Sequence, residues 1–258
     1  LDAQVLDEGR NALGRQRIAW GTGRFWSPLD ILNPVNPLAL EREERVGVDA
    51  ALLEAQLGPL SRASLVVAPA PGRGPTSSAV LWHGNAAGVD ASLVAGRLLG
   101  LDIVGMDLAT QIRDAGIRGE AARLRPRGGP AFNRLMVGGD YAFGNGLTLS
   151  AELYYNGAGS RDPAGYDRAG LRSGRAVNLA TRYTGLYASY EITPLLKWVS
   201  YAVRNADDRS RAIDSRLVWS IGPAMDLTVG VQHYNGTEGS EFAAVPNAVQ
   251  LQLQWFFR

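Results

Sequence analysis

The stretch that decides the fold closes the chain: Val249-Gln250-Leu251-Gln252-Leu253-Gln254-Trp255-Phe256-Phe257. Its odd-numbered positions hold Val, Leu, Leu, Trp and Phe, and its even-numbered positions hold three Gln and one Phe. Successive side chains of a β-strand point to opposite faces, so this alternation predicts a strand with one apolar face and one polar face. The same pattern recurs towards the N-terminus, in residues 227–232, 147–155, 135–143 and 104–112.

The alternation covers most of the chain and predicts about 15 strands, separated by turns rich in Gly, Pro, Asn and Asp. Most of these strands run for about 9–12 residues, whereas the strands of soluble sheets usually have about 5–6. A strand that crosses a bilayer at a tilt needs about 9–11 residues. The predicted ranges are 1–6, 12–20, 47–57, 61–69, 77–84, 88–98, 102–112, 116–125, 131–143, 147–156, 180–191, 195–205, 209–220, 225–235 and 246–257.

The strand pattern predicts an all-β fold, a transmembrane antiparallel up-and-down β-barrel of about 14–16 strands. A soluble propeller, sandwich or solenoid is the alternative, because it also turns one apolar face to a core. Against it, only Lys197 among the 26 basic residues is a lysine, so the polar faces do not resemble a lysine-rich solvated surface. Aromatic residues also gather near strand ends, as the interfacial girdles of a membrane barrel require: Trp20, Tyr141, Phe143, Tyr154, Tyr155, Tyr187, Tyr190, Trp219, Tyr234 and Trp255.

The composition excludes several classes of function. The 26 basic and 25 acidic residues leave a formal charge of +1, without the basic excess of a nucleic-acid-binding protein, so no nucleic acid is expected as a partner. The absence of cysteine excludes disulfides, thiolate metal sites and cysteine nucleophiles. Only His83 and His233 are available to a zinc or triad enzyme, and no metal or organic cofactor is implied.

The connections between the predicted strands indicate the topology. The longest, at 21–46, 70–76, 157–179 and 236–245, all fall on one side, which is the outer side if the last strand ends in the periplasm. An odd number of strands cannot close with both termini in the periplasm. We therefore expect 1–6 to be the second strand of a hairpin whose first strand precedes Leu1, in a 16-stranded parent barrel, or a 14-stranded one if two of the assignments are wrong. Residues 1–258 are expected to form a single domain, in a mature chain or a fragment.

Two segments resemble known outer-membrane proteins. The C-terminal stretch 249–257 looks like the signal by which the barrel-assembly machinery recognises its substrates, although Arg258 follows the aromatic residue that ends such proteins. Residues 13–21, Leu-Gly-Arg-Gln-Arg-Ile-Ala-Trp-Gly, followed by 28–34, Pro-Leu-Asp-Ile-Leu-Asn-Pro, are similar to a motif of a porin-like family of Gram-negative bacteria. In that family a Gly-Arg-Gln strand ends in Trp-Gly and leads to an Asp-x-x-Asn-Pro loop. The resemblance implies a channel-forming barrel without specifying a solute.

Charged residues on the predicted inward faces are the candidate pore lining. Rings of charge set ion and solute selectivity in a water-filled pore, although each such residue has a structural alternative, namely pairing across neighbouring strands to fix their register. The candidates are Arg15, Arg17, Glu54, Asp90, Asp107, Arg118, Glu120, Asp140, Glu152, Asp214 and Arg216.

The connection 21–46 is the candidate constriction. Its prolines stiffen it because proline fixes φ, so we expect it either to fold into the lumen or to pack on the outer rim. The charged residues expected to set the field there are Arg24, Asp30, Arg42, Glu43 and Glu44. The arginine-rich stretch 161–175 is expected to be solvated or to face lipopolysaccharide, with a ligand site as the alternative.

The predicted function is an outer-membrane porin or channel for the passive diffusion or export of small polar or charged solutes. A structural or adhesion barrel with a blocked lumen is the alternative, followed by an outer-membrane hydrolase, for which no catalytic residues are assigned. The expected partners are outer-membrane lipid and lipopolysaccharide, the barrel-assembly machinery during insertion, and small solutes. The expected location is the bacterial outer membrane.

Overall fold

A computed structural model describes residues 11–34, 47–69, 75–172 and 176–256. Within them, 14 strands are hydrogen-bonded in chain order in one up-and-down sheet, accompanied by a 3-10 helix at Pro163–Gly165 and the helix α1 at Arg168–Arg172. The strands are β1 Ala12–Gln16, β2 Val48–Gly58, β3 Ser61–Ala68, β4 Ser77–Ala86, β5 Val89–Leu98, β6 Leu101–Ile112, β7 Ala115–Pro126, β8 Phe132–Ala142, β9 Leu147–Asn156, β10 Arg182–Thr193, β11 Leu196–Asn205, β12 Arg211–Gly222, β13 Met225–Asn235 and β14 Ala248–Trp255.

The strand prediction is confirmed wherever the structure describes the chain. Each predicted strand from 12–20 onwards has its counterpart, while the predicted strand 1–6 lies outside the described residues. The first described strand is shorter than expected and ends at Gln16. Beyond it, the backbone N–H of Ile18 donates to the side chain of Asn33 at 3.0 Å instead of to a neighbouring strand.

Large apolar side chains lie on the exposed face of the strands. In β6, Val104, Met106 and Leu108 are 66%, 41% and 43% exposed, whereas the alternating residues Ile103 and Asp107 are 1% and 3% exposed. A half-solvated soluble sheet does the reverse, because it buries its apolar face and turns its polar face to water. We call the exposed apolar face outward and the opposite face inner. The outward set also includes Leu93, Leu135, Leu153, Leu186, Leu217, Val229, Leu251 and Leu253.

The connections differ in length between the two ends of the strands. Neighbouring strands alternate in direction, so connections after odd-numbered strands leave one end and connections after even-numbered strands leave the other. Turns after even-numbered strands have two to four residues, and the longest connections follow β1, β3, β9 and β13. In the turn after β4, Ala87 and Gly88 have φ of +53° and +79°, as a tight hairpin requires. We call the end with the connections after odd-numbered strands the long-loop end, and the opposite end the short-turn end.

The chain divides into two compact units within β8. The first consists of the described residues of 1–112 together with 116–137, and the second of 113–115 together with the described residues from 138 onwards. The single domain expected from the sequence stays a prediction. No helix in the described ranges is long and apolar enough to cross a membrane.

Candidate functional site

The loop that follows β1 packs against the inner face of the first unit. Phe25 and Leu29 are fully buried, and Leu29 belongs to an apolar cluster with Val66 of β3 and Leu98 of β5. Gly105 of β6 permits this approach, because a Cβ there would lie 2.5 Å from Cδ2 of Leu29. The described part of this connection therefore packs on the inner face of β3, β5 and β6. We call residues 17–34 the inner loop.

Glu120 of β7 anchors the inner loop to the wall. Its Oε1 accepts the backbone N–H of Thr22 at 2.5 Å and that of Gly23 at 2.7 Å. Its Oε2 accepts the hydroxyl of Ser27 at 2.8 Å and the backbone N–H of Leu29 at 3.3 Å. A buried carboxylate needs such donors because burial removes its water. The hydroxyl of Thr22 also donates to Oε1, at 3.3 Å, so five groups of the loop donate to this carboxylate. The sequence predicted that Glu120 faces inward but did not predict these contacts.

Asp30 and Asn33 shape the inner loop from within. The Asp30 carboxylate accepts the backbone N–H of Asn33 at 3.0 Å, and the Asn33 side chain accepts the backbone N–H of Ile18. Asp30 is buried, and these contacts give it a role in the turn, while its expected role in setting the field stays a prediction. Arg24 is exposed on the same loop. The other expected constriction residues, Arg42, Glu43 and Glu44, lie outside the described residues, and their role stays a prediction.

Most of the expected pore-lining charges of the first unit lie on the inner face. They are Glu54, Asp90, Asp107, Arg118 and Glu120, which share their strand parity with buried residues. Glu54 accepts the hydroxyl of Ser64 at 3.0 Å and lies 3.8 Å from the guanidinium of Arg62. A cavity of about 440 Å³ opens beside this pair, and Arg17 and Trp20 also line it. Acidic and basic groups therefore border the same cavity on the inner wall.

Arg15 lies on the outward face and not in the expected lining. Leu13, two residues earlier, is 69% exposed on the same face, and the Arg15 guanidinium pairs with Asp49 of β2 at 3.0 Å. The inner positions of β1 are taken by Gly14 and Gln16, and the Gln16 amide donates to the backbone of Ala50. Pairing with β2 determines which residues of β1 face outward, so the charge of Arg15 alone did not predict its face.

In the second unit, Asp140, Glu152, Asp214 and Arg216 also take inner positions. Asp214 accepts two hydrogen bonds from Arg216, at 2.6 and 2.8 Å, and one from the Gln232 amide at 2.7 Å. Such a bidentate pair fixes the geometry of both groups and neutralises them within the wall.

A row of three side chains on β4, β5 and β6 bears on the hydrolase alternative. Ser92 lies 3.1 Å from Nδ1 of His83 and donates to Asp107 at 3.1 Å. In a serine hydrolase the carboxylate orients the histidine, which in turn activates the serine. Here the serine lies between the other two groups, so this row does not have that arrangement. His233 lies on the outward face, away from this row. No metal-binding group of three or more His, Asp or Glu side chains is present in the described ranges.

A polar network joins the long connections of the second unit, and the sequence did not predict it. Glu241 accepts the hydroxyl of Tyr183 at 2.7 Å, the amide of Asn205 at 2.8 Å and the backbone N–H of Leu179 at 3.1 Å. Asp208 accepts the hydroxyl of Tyr166 at 2.9 Å and the backbone N–H of Glu241 at 2.8 Å. Burial raises the pKa of both Glu241 and Tyr166. The sign of this network in the sequence was that the connections after β9, β11 and β13 each contain acidic residues.

Solved structures share this arrangement of strands. The chain is similar in fold to the Pseudomonas aeruginosa porin OccK10 (OpdN), with a TM-score of 0.65 and 14% identity over 98% of this chain and 81% of that chain. It is also similar to Pseudomonas aeruginosa OpdO, with a TM-score of 0.58 and 16% identity over 95% of this chain and 74% of that chain.

At these identities the likeness concerns the fold alone, and it confirms the predicted antiparallel up-and-down β-barrel. Neither the protein-family models nor the curated proteins give a match. The strand-and-loop motif at 13–34 therefore stays a prediction of family membership.

Proposed function

We propose that the chain forms a channel in the Gram-negative outer membrane and that the channel passes small polar or charged solutes. The observation that carries the proposal is the inversion of the two sheet faces. The outward face presents large apolar side chains to the surroundings, whereas the inner face carries charges of both signs. An apolar exterior suits lipid, and a charged interior suits water and dissolved solutes.

We further propose that the inner loop forms the constriction of this channel. Its Phe25, Pro28 and Leu29 are buried against the wall. Glu120 accepts hydrogen bonds from three backbone N–H groups and two hydroxyls of residues 22–29. A loop held in this way keeps a fixed distance from the wall charges. Selectivity arises where an ion passes within about a Debye length, ~8 Å at physiological salt, of fixed charges.

Single-channel recording in planar lipid bilayers tests the proposal. The purified chain should give discrete conductance steps and, in a salt gradient, a reversal potential that differs from zero. Deletion of residues 24–44 should raise the conductance and weaken the ion selectivity. Unchanged conductance and reversal potential in the deletion variant would place the constriction elsewhere.

A barrel with a blocked lumen is the second candidate function. The apolar packing of the inner loop favours it, because buried aromatic and aliphatic side chains occupy space on the inner face. This alternative predicts membrane insertion without conductance steps. The same recordings therefore separate the two candidates, provided that insertion is verified by the protection of the strands from protease.

A further inference from the structure

We propose that an outward-facing arginine cluster in the first unit binds the phosphate groups of lipopolysaccharide. The cluster consists of Arg97 of β5 with Arg123 and Arg125 of β7, together with Asp102 of β6 and Asn133 of β8. The inference rests on the proposed location in the outer membrane and is independent of whether the barrel conducts.

The cluster carries an excess of positive charge. Arg97 donates to Asp102 at 2.6 Å, and Arg125 donates to the same carboxylate at 3.4 Å. Arg123 donates to the neutral amide oxygen of Asn133 at 3.3 Å. The cluster thus holds three guanidinium groups but one carboxylate, and the side chains of Arg97 and Arg125 remain 49% and 67% exposed. Guanidinium groups bind phosphate through paired hydrogen bonds, which suits them to such a partner.

The height of the cluster on the strands indicates which part of a membrane it meets. Arg97 and Arg125 are each one residue from the long-loop end of their strands, and Arg123 is three residues from it. At about 3.4 Å per residue, all three lie within ~10 Å of that end. Closer to the short-turn end, the same outward face carries Leu93, Met106 and Ile117, which are exposed and apolar.

The arginines therefore lie at the long-loop edge of the apolar outward face. The long-loop end is the outer side in the proposed orientation, and there the headgroups are the phosphorylated sugars of lipopolysaccharide. Charge complementarity favours this lipid over the zwitterionic phospholipids of the inner leaflet, because each arginine that contacts a lipid phosphate replaces a counterion with a charge-assisted hydrogen bond.

Two other arginine sites differ from this cluster. Arg15 is also outward and exposed, but Asp49 pairs with it one to one, so that pair carries no net charge. Arg168, in the stretch expected from the sequence to face lipopolysaccharide, donates to the backbone carbonyl of Gly239 and lies over the ring of Tyr166. Arg168 therefore has its described contacts within the loops, unlike the arginines of the cluster.

Native mass spectrometry of the refolded full chain in detergent, titrated with diphosphoryl lipid A, tests the inference. The variant R97Q/R123Q/R125Q should bind lipid A about tenfold more weakly than the unmodified chain, since several charge-assisted hydrogen bonds are lost. R15Q, the matched control at an exposed outward arginine, should bind as the unmodified chain does. Lipid A without phosphates should bind weakly to all of these proteins.

D102N should retain or increase the binding of lipid A, because it frees two arginines from their shared carboxylate. In a purely structural ion-pair network the same change would not increase that binding. If the triple variant does not fold, as judged by its heat-modifiable migration in gels, R123Q alone removes an arginine whose described partner is neutral and should still weaken binding. Equal affinity of the triple variant and R15Q would overturn the inference. Displacement of lipid A by inorganic phosphate would also overturn it, because the site would then be one for free anions. Channel recordings of the same variants report on the proposed function separately.

Discussion

The carboxylate of Glu120 lies 2.7 Å from the backbone nitrogen of Gly23, although 97 residues separate them in the chain. This contact holds the inner loop against the wall of the first unit. Replacement of Glu120 by Ala leaves several N–H and O–H groups of residues 22–29 without an acceptor, and each buried unsatisfied group costs about 1–3 kcal/mol. E120A should therefore release the loop, increase its hydrogen exchange and raise the single-channel conductance.

E120Q serves as the conservative comparison for this prediction, since it keeps one acceptor oxygen and should give an intermediate exchange rate. D90N is the matched control, because Asp90 is an inner carboxylate whose described partner is the Asn85 side chain and not the loop. If hydrogen exchange of residues 22–29 were the same in E120A and D90N, Glu120 would not be the anchor.

Adjacent residues of β14 should respond oppositely to the same substitution. Leu251 is exposed on the outward face, whereas Gln252 takes an inner position. An arginine at an outward site near the bilayer midplane costs about 2–4 kcal/mol, so L251R should lower the free energy of unfolding in lipid vesicles by that amount. Q252R should be nearly neutral, since the inner face is polar. Equal tolerance at both positions would contradict the sidedness of the strand.

The buried pair in β12 should contribute to both stability and selectivity. D214A leaves the guanidinium of Arg216 without its carboxylate, and breaking such a buried pair typically costs about 3–5 kcal/mol. The uncompensated positive charge should also shift the reversal potential towards anion preference. The double variant D214A/R216A restores neutrality and should return the reversal potential to that of the unmodified chain. A double variant that keeps the shift of D214A would rule out charge as its cause.

The loop network around Glu241 should be sensitive to pH. Burial raises the pKa of this carboxyl, so the folded protein keeps a proton that the unfolded chain has already lost. The stability of the network should therefore fall as the pH rises from the ordinary glutamate range through the raised pKa. Hydrogen exchange of the described residues in 157–181, corrected for the intrinsic effect of pH, should increase over that window. E241Q cannot titrate and should remove the dependence; its persistence would point to another group.

The fold was predictable because each strand carries its own signal. Apolar residues at alternate positions, such as Leu251 and Leu253, indicate the outward face of a strand from its own sequence alone. Because each strand could be recognised in this way, counting strands along the chain also placed the long connections on one side. Arg15 shows where this local signal fails: β1 has only five residues, and its phase is clear only from its pairing with Asp49.

The candidate site was less predictable, because its contacts join residues far apart in the chain. Charge patterning placed Glu120 on the wall but gave no indication that residues 22–29 would surround it. Asp30 was expected to set the field at the constriction, but the contact of its carboxylate with the backbone N–H of Asn33, three residues away, was not predicted. The network of Tyr166, Asp208 and Glu241 involves three separate connections, and no single segment contains its pattern.

The separation between the inner loop and its anchor also constrains how the protein can be made. Ribosomes deliver residues 22–29 long before Glu120, so no native acceptor for those N–H groups exists while the intervening strands are still being synthesised. Ring closure over so many residues carries a large entropic cost until the strands between them have paired. Docking of the inner loop on Glu120 therefore follows the pairing of the strands that lie between them in the chain.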